Sequence, residues 1–375
     1  MASLPIAKPV ELKINAQRLE DAAKLLKSWT DKREVPGGCI AVGRKGKLVA
    51  PIFLGRQGAE KDAEAIRRDG MFLLASITKP ITYMCGLMMV ERGLLNLSDK
   101  VTRYIPDFAA HHKEDVLVQQ LFTHTSGMPD MVPDNVELRK KNAPLSRFIQ
   151  GAIRDTVPSF RPGTNYSYQS MGTLVVAQLV QQLSGKSIAQ FMVDEIFKPL
   201  GLKSIGLGSK GFPRERLVRV ETPPYQGKQS SYSWNGKYWQ ELGVPWGGMF
   251  ASPADYAVLA QLMLNRGEYG GVRLLSPYTV DMMTTSRFDD EPKLPEPLRR
   301  SRPWGLGWRM NHPGTPSSWS DLLGRHVFGH TGATGTMVWM DRERDGFCLL
   351  FTSALRSKAP WRLVSLSNMV ASAFE

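Results

Sequence analysis

The stretch Leu73-Leu74-Ala75-Ser76-Ile77-Thr78-Lys79-Pro80 places a serine and a lysine three residues apart in an apolar part of the chain. Side chains at this spacing lie on the same side of a helix, so an amine comes within reach of a hydroxyl. A serine needs a neighbouring base to become a nucleophile, and burial lowers the pKa of an amine. A capping serine followed by a solvated lysine would show the same spacing. The apolar residues 71–75 and 81–90 argue against this, because a lysine among them is costly without a partner.

The composition is that of a globular protein with one large domain or two intertwined ones. Of the 375 residues, 42% are hydrophobic and 22% are charged. No segment approaches the ~20 uninterrupted apolar residues that a membrane helix requires. The N-terminal residues 1–26 have no apolar region typical of a signal peptide, so we expect a cytoplasmic protein without a membrane partner. Cys39, Cys85 and Cys348 lie far apart in apolar surroundings, which predicts buried free thiols and no metal site.

The net charge of +13 is scattered along the sequence. Its two local clusters, residues 139–141 and 299–302, contain no interleaved aromatic side chains of the kind that stack on bases. We therefore interpret the charge as solvated surface and expect no nucleic-acid partner. A basic rim that attracts anionic substrates is the alternative.

Strand-like segments lie at both ends of the chain. A helix over residues 16–30 precedes two strands, 37–43 and 48–54, which join through the polar turn 44–47. Near the C-terminus, four further apolar segments predict strands ahead of a last helix over residues 360–374; these are 304–308, 327–330, 335–340 and 347–352.

The middle of the chain shows helical periodicity instead, over residues 76–95, 115–123, 145–154, 170–184, 187–198, 252–266 and 276–285. Short turns between the strands favour antiparallel pairing. The pattern predicts an α/β fold with a largely antiparallel sheet, flanked by N- and C-terminal helices, and a large, mainly helical insertion. We predict a sheet domain from residues 1–70 and 304–375, a helical domain from residues 71–303, and an active site at their junction.

A second stretch, Pro162-Gly163-Thr164-Asn165-Tyr166-Ser167-Tyr168-Gln169-Ser170, leads into a predicted helix. A tyrosine near Lys79 would ionise more readily than usual, because a cation favours the phenolate, and could then act as a general base. Aromatic packing under a loop is the commoner role of a lone tyrosine.

A third stretch, Phe328-Gly329-His330-Thr331-Gly332-Ala333-Thr334-Gly335, lies at the edge of a predicted strand. Small residues there let a substrate approach backbone N–H groups, which could stabilise an oxyanion. A glycine-rich turn with His330 at the surface is the alternative.

Taken in order, the three stretches resemble the motifs Ser-x-x-Lys, Tyr-x-Asn and Lys-Thr-Gly of the serine β-lactamase and penicillin-recognising superfamily. Further stretches, including Leu121-Phe122-Thr123-His124-Thr125-Ser126-Gly127-Met128 and Trp246-Gly247-Gly248, make the likeness closer to the class C-like branch with its family VIII carboxylesterases. The resemblance runs from about residue 16 to the end and implies a β-lactamase/transpeptidase-like fold.

The resemblance also implies a role for each matching residue. Ser76 would be acylated, Lys79 would hold and relay its proton, and Tyr168, rather than Tyr166, would be the base. The backbone N–H groups of Ser76 and Ala333 would form the oxyanion hole. Residues that would line or bind the substrate are Ser170, His330, Gly332, Trp246 and Gly248.

Two positions depart from the family pattern. Ser170 stands where the family usually has asparagine, and a serine reaches less far and offers fewer hydrogen bonds. His330 replaces the lysine of β-lactamases, and a neutral histidine is a weaker anchor for the β-lactam carboxylate. Both departures favour an ester over a β-lactam.

We therefore predict a serine hydrolase that works through an acyl-enzyme, a carboxylesterase on small to medium esters, with no metal or organic cofactor. The alternative with the same nucleophile is a D-amino-acid amidase or peptidase, a weak β-lactamase or an acyltransferase. An alternative of another class is a catalytically inactive binding protein on the same fold.

Overall fold

Strands from both ends of the chain build one large sheet. The computed structural model describes residues 3–224, 230–312 and 319–375. Its strands are Ile6–Ala7 (β1), Gly37–Arg44 (β2), Lys47–Val49 (β3), Ile52–Gly55 (β4), Phe72–Leu73 (β5), Ile205–Leu207 (β6), Met249–Ala251 (β7), Glu268–Tyr269 (β8), Val272–Arg273 (β9), Arg309–Met310 (β10), Phe328–Gly332 (β11), Thr336–Asp341 (β12) and Gly346–Thr352 (β13).

The large sheet has eight strands in the order β1-β3-β2-β13-β12-β11-β10, with β4 also paired to β2. Its pairs are antiparallel except β1 with β3, so the prediction of a largely antiparallel sheet is confirmed. The N-terminal and C-terminal strand sets meet where β2 pairs with β13, with Cys39 opposite Phe351. The centre of the sheet is thus formed by two strands that come from opposite ends of the chain.

The helices lie mostly between the two strand sets in sequence, with one between β1 and β2 and one after β13. They are Ala16–Asp31 (α1), Thr78–Glu91 (α2), Val118–Thr123 (α3), Asn135–Lys140 (α4), Leu145–Arg154 (α5), Met171–Ser184 (α6), Ile188–Met192 (α7), Lys237–Leu242 (α8), Pro253–Leu264 (α9), Pro277–Met283 (α10), Glu296–Ser301 (α11) and Trp361–Ala373 (α12). The predicted helix 187–198 is α7 continued by one π-helical turn, Val193–Phe197. The short helices α4, α8 and α11 were not predicted, because six residues show too little periodicity.

Both faces of the large sheet are buried. Successive residues of a strand point to opposite faces, so Cys39 and Ala41 of β2 join one apolar cluster while Ile40 and Val42 join another. Side chains of α1 and α12 complete the second cluster, and those of α2, α6 and α9 complete the first. Burial on both sides explains why the central strands are continuously apolar in sequence.

Two of the predicted strands differ in the structure: one is divided in two, and the other is not a regular strand. The segment 48–54 is divided into β3 and β4, which pair with opposite ends of β2. Pro51 lies between them and has no N–H to donate to the ladder. The segment 304–308 is not a regular strand; Trp304 forms an isolated bridge to Arg309, and Gly307, with φ of 106°, turns the chain before β10.

The predicted division into two domains stays a prediction. The strands of the large sheet do come from residues 6–55 and 309–352, inside the proposed sheet domain. However, one buried cluster contains side chains from this sheet and from the helices between its two strand sets. Within the described residues, we find no helix with the length and apolar character needed to cross a membrane.

Candidate active site

Ser76 lies where β5 passes into α2. A single 3-10 turn, Ala75–Ile77, joins the two elements, and Ala75 has a positive φ of 48°, which is uncommon for a residue with a side chain. Leu74 N donates to Met249 O at 2.9 Å, and Met249 N donates to Thr78 Oγ1 at 3.0 Å. The small sheet β5-β7-β6, which was not predicted because its strands have two or three residues, therefore fixes this turn.

Lys79 is buried directly behind Ser76. Its Nζ donates to Ser76 Oγ at 3.2 Å and to the carbonyl oxygen of Trp246 at 3.0 Å. Burial lowers the pKa of Lys79 to about 8, although the carboxylate of Asp130 acts in the opposite direction. Ser76 makes no capping hydrogen bond to α2. The alternative of a capping serine and a solvated lysine therefore does not describe this pair.

Tyr168 covers the pair from the opposite wall. Lys79 Nζ lies 4.8 Å from the centre of its ring, and the ring packs on His124 and Trp304. Burial raises the pKa of Tyr168 well above its ordinary value, and the nearby Ser76 hydroxyl offsets only part of this effect. The Tyr168 hydroxyl makes no hydrogen bond of good geometry to the described residues. The expectation that Lys79 eases ionisation of the phenol is therefore wrong for the free protein.

The third stretch runs along β11 and turns beside Ser76. Thr334 Oγ1 donates to Leu73 O at 2.6 Å, and Thr336 Oγ1 donates to Leu74 O at 3.0 Å. These bonds hold the end of β11 against the segment that carries the serine. Among the residues that the structure describes, the backbone N–H groups of Ser76 and Ala333 have no hydrogen-bond acceptor. Both are therefore available to an oxyanion, as the motif comparison implied.

Gly332 is required by this close approach. A Cβ at position 332 would lie 2.3 Å from Leu74 O and 2.2 Å from Thr336 Oγ1. Such a contact forces β11 away from the serine segment. We expect Gly332→Ala to lower kcat at least about tenfold, because a displaced oxyanion donor costs several kcal/mol of transition-state stabilisation. Steady-state kinetics on an activated ester measure the loss. The control is Gly185→Ala at a remote helix end, where a φ of 70° makes alanine unfavourable for stability but the space around it is open, so activity should be kept.

His330 is buried in the wall of the site, so its placement at the surface is excluded. Its Nδ1 lies 2.8 Å from the carbonyl oxygen of Thr331, and its ring contacts those of Tyr168 and Trp304. Burial, assisted by the positive charge of Lys79, lowers the pKa of His330 to about 3. The residue is therefore neutral at physiological pH and provides no permanent charge for a substrate carboxylate.

Two connected cavities open on Ser76. The larger has a volume of about 740 Å³ and is lined by the aromatic residues Trp234, Trp239 and Trp246. The smaller, of about 300 Å³, is lined by His330 and Gly332. Residues that line both are Ser76, Tyr168, Arg302, Ala333 and Arg356. We call them the large lobe and the small lobe; together they hold a small to medium organic molecule.

The remaining predicted pocket residues have different outcomes. Trp246 lines the large lobe and also receives a hydrogen bond from Lys79 through its carbonyl. Gly247, rather than the predicted Gly248, faces the cavity. A Cβ at Gly248 would lie 2.5 Å from Val244 N, so this glycine serves the packing of the turn. Ser170 lines the large lobe, but its hydroxyl donates to Asp130 Oδ1 at 2.7 Å.

One group of possible metal ligands lies outside both lobes. His326, Asp341 and Glu343 bring their ligand atoms within 4.8 Å of one another. Asp341 Oδ2 already accepts from Arg344 Nη1 at 2.8 Å, and Oδ1 accepts from backbone N–H groups of the following turn. Because the carboxylate is satisfied by a cation and by the backbone, we interpret the group as an ion-pair cluster.

The fold is that of β-lactamases and penicillin-binding proteins. The beta-lactamase family model matches residues 20–368, and the chain belongs to this family. A candidate D-alanyl-D-alanine carboxypeptidase from Escherichia coli K12 is 27% identical over 297 residues, which are 72% of this chain but only 66% of that relative's length.

Solved structures agree on the fold. A penicillin-binding protein homologue from Caulobacter crescentus has a TM-score of 0.77 at 18% identity, covering 96% of this chain and 98% of its own. A family VIII carboxylesterase has a TM-score of 0.74 at 18% identity, covering 94% and 97%. The predicted superfamily and the α/β fold class are thus confirmed. The superfamily is one of serine hydrolases that includes carboxylesterases and peptidases.

Several residues of the site were not predicted from the sequence. Asp130 lies in a loop and Arg356 in a short 3-10 turn, Arg356–Lys358, and no periodicity or motif spacing connects them to Ser76. His124 was assigned to a structural stretch; the structure buries it behind Tyr168, where burial holds its pKa well below the ordinary value. A buried position for His124 could have been inferred from its apolar neighbours, but not its contact with Tyr168.

Proposed function

We propose that this protein is a carboxylesterase that hydrolyses small to medium esters through an acyl-enzyme on Ser76. The observation that carries the proposal is the contact between Ser76 Oγ and Lys79 Nζ at 3.2 Å, at the floor of a cavity with two free N–H groups. Membership of a superfamily of serine hydrolases supports the reaction class.

The resting protonation states favour Lys79 as the first base. With its pKa lowered to about 8, a useful fraction of Lys79 is neutral near pH 8, whereas burial keeps Tyr168 protonated. Neutral Lys79 takes the Ser76 proton as Oγ attacks the ester carbonyl. The resulting oxyanion accepts hydrogen bonds from Ser76 N and Ala333 N.

The acyl-enzyme forms when the tetrahedral intermediate expels the alcohol. The proton held by Lys79 passes to the leaving alkoxide, and we assign the hydroxyl of Tyr168 as the relay, since the Tyr168 ring centre lies 4.8 Å from Lys79 Nζ and its hydroxyl lies near that of Ser76. A water molecule then gives a proton to Lys79 and attacks the acyl carbon. The second tetrahedral intermediate expels Ser76 Oγ, which takes the proton from Lys79, and the acid is released. Lys79 thus takes up one proton and passes it on in each half of the cycle, so no cofactor is needed.

The walls of the cavity support an ester as the substrate. The large lobe presents three tryptophan side chains to the acyl group. His330 is neutral, and it replaces the lysine that anchors the carboxylate of a β-lactam in related enzymes. These features favour esters over β-lactams.

Activity is expected to rise with pH. Below a pKa of about 8, Lys79 is protonated and cannot accept the Ser76 proton. We expect kcat/KM for p-nitrophenyl butyrate to increase about tenfold per pH unit on the acid side and to level off above about pH 8. Rates are corrected with Ser76→Ala protein. A profile that is flat between about pH 6 and about pH 9 would exclude Lys79 as the titrating base.

A fluorophosphonate probe tests the nucleophile, and a substrate panel tests the substrate class. Mass spectrometry is expected to find the adduct on the peptide that contains Ser76. Turnover of p-nitrophenyl butyrate, nitrocefin and a D-alanine amide under one set of conditions is expected to be fastest for the ester. Faster turnover of the D-alanine amide would favour the amidase or peptidase alternative, which the similarity to a candidate D-alanyl-D-alanine carboxypeptidase also suggests.

A further inference from the structure

Asp130 lines the large lobe and is the only aspartate or glutamate among the described residues that do so. It directly follows Pro129, whose carbonyl oxygen accepts a hydrogen bond from Met171 N at 3.4 Å. The loop that carries Asp130 is thereby attached to the first turn of α6, and the positive end of that helix favours a negative charge nearby.

Ser170 fixes one oxygen of this carboxylate and leaves the other open. Ser170 precedes α6 at its N-cap, yet its hydroxyl caps no backbone N–H and donates to Asp130 Oδ1 instead. Within the described part of the chain, Asp130 Oδ2 accepts no hydrogen bond, and no lysine, arginine or histidine forms an ion pair with Asp130. The carboxylate is exposed to the cavity rather than buried in the protein.

Ser170 and Asp130 together offer the substrate hydrogen-bond acceptors, whereas the asparagine usual at position 170 also offers donors. An asparagine amide presents both an acceptor and two donors. Here the only proton of the pair is directed from Ser170 to Asp130, so the lobe sees acceptor atoms and a negative charge. Such an anchor binds a hydrogen-bond donor, most strongly a cationic one, and repels an anion.

The arginines that line the large lobe form no ion pair with this anchor among the described residues. Arg302 and Arg356 line both lobes, whereas Asp130 and Ser170 line the large lobe alone. Arg139 lies nearer, since its Nη2 is 3.9 Å from Met131 Sδ, but it is held against the ring of Trp239, 4.0 Å from its centre, and by Asn135 Oδ1 at 3.2 Å. The remaining walls near Asp130 include tryptophan faces, which also attract cations.

The anchor lies in the same lobe as the nucleophile. Asp130 and Ser76 both line the large lobe, and Ser170, which holds Asp130, is two residues from Tyr168, whose ring centre lies 4.8 Å from Lys79 Nζ. With the acyl group in this lobe, a group held by Asp130 is a substituent of that acyl group.

We propose that Asp130, positioned by Ser170, binds a protonated amine on the acyl group, so that the preferred substrates are esters or amides of amino acids. This inference rests on the proposed function, since it assigns the acyl half of the same site. The proposed amine site specifies which acyl group is preferred, which neither the three motifs nor the apolar walls indicate.

A pair of substrates that differ only in this amine tests the proposal. Alanine and isobutyrate esters of one alcohol place an ammonium or a methyl group at the same position, and both alanine enantiomers are assayed at about pH 7, where the α-ammonium is largely protonated. We expect kcat/KM for one alanyl enantiomer to exceed that for the isobutyryl ester about fivefold or more. Asp130→Asn, which keeps the size of the side chain, should reduce this ratio to about one.

Two control variants separate binding from indirect effects. Asp134→Asn removes an exposed carboxylate four residues along the same segment, outside the cavity lining, and should leave the ratio unchanged. Ser170→Ala should reduce the ratio in part, because Asp130 then loses its anchor. Retained isobutyrate hydrolysis by Asp130→Asn shows that the variant is folded and acylated.

A second measurement does not depend on turnover. Binding of D- and L-alaninamide and of isobutyramide to Ser76→Ala protein is compared by calorimetry, with and without Asp130→Asn. Equal affinity for the amine and the methyl analogue, or a preference that survives Asp130→Asn, would overturn the proposal. Loss of the fluorophosphonate adduct and of all ester turnover, with an Asp130-dependent amine preference still present, would instead reject the esterase function and retain the amine site.

Discussion

Ser76→Ala is expected to lower kcat for p-nitrophenyl butyrate at least about 10³-fold and to abolish labelling by a fluorophosphonate. The hydroxyl is the atom that Lys79 Nζ contacts at 3.2 Å at the floor of both lobes. Its removal leaves the oxyanion donors and the cavity intact, because these donors are backbone groups. The residual rate should therefore come from binding and oxyanion stabilisation alone.

Ser167→Ala is the matched control for this variant. Ser167 lies between the two tyrosines of the second stretch, is exposed, and does not line either lobe. It should keep full activity and full labelling. Substantial ester turnover by Ser76→Ala, together with an adduct on another residue, would place the nucleophile elsewhere.

Lys79→Met is expected to lower kcat/KM at least about 10³-fold while the protein remains folded. Methionine fills a similar volume but cannot accept the Ser76 proton.

The Lys79→Met variant also changes how the free energy of unfolding depends on pH. The pKa of Lys79 is about 8 in the folded protein, against its ordinary value of 10.5 in the unfolded chain. The unfolded chain therefore binds more protons between these two values, and wild-type stability rises with pH across this window.

The same linkage gives the size of the stability effect. Below about pH 8 the wild type bears the full cost of a buried, charged amine, whereas Lys79→Met does not. Between about pH 7 and about pH 10.5, the difference in free energy of unfolding should shift by about 3 kcal/mol in favour of the wild type. Urea denaturation of both proteins at each pH measures the shift. An unchanged difference would mean that Lys79 is not charged and buried in the resting protein.

Lys113→Met is a control that the chain itself provides. Lys113 is also buried, its Nζ donates to Thr156 O at 2.6 Å, and burial lowers its pKa to about 8. It lines neither lobe. This variant should shift the pH dependence of stability in the same direction and leave ester hydrolysis within a few-fold of the wild type.

The sequence predicted the large elements because their signals are long. The helix over residues 145–154 was predicted with the bounds that α5 has, and the strands of residues 37–43 and 347–352 were placed correctly within one residue. Strands β5, β6 and β7 have two or three residues each, too short for any periodicity to be recognised. Segment 48–54 is predicted as one strand because its apolar residues are nearly continuous, but Pro51, which has no N–H to donate, divides it into β3 and β4.

The candidate site could be predicted where residues are close in sequence or form an ordered set of motifs. Ser76 and Lys79 lie three residues apart on one helical segment, and the structure brings Tyr168 and His330 to them as the motif order implied. The partner of Ser170 could not be predicted, because Asp130 is forty residues away in a loop. The direction of the Tyr168 pKa also required the structure, since it depends on burial by His124 and Trp304 rather than on the charge of Lys79.

The bonds from Thr334 to Leu73 and from Thr336 to Leu74 have a consequence for biosynthesis. They join residues 261 and 262 positions apart, and β13, which follows them, is the strand that pairs β12 with β2. Contacts of such long range form late, because a large loop must close first. A ribosome-bound chain that already contains Ser76, Lys79 and Tyr168 therefore still lacks the strand that completes the oxyanion hole. Acylation of Ser76 should therefore begin only after residue 352 has emerged from the ribosome.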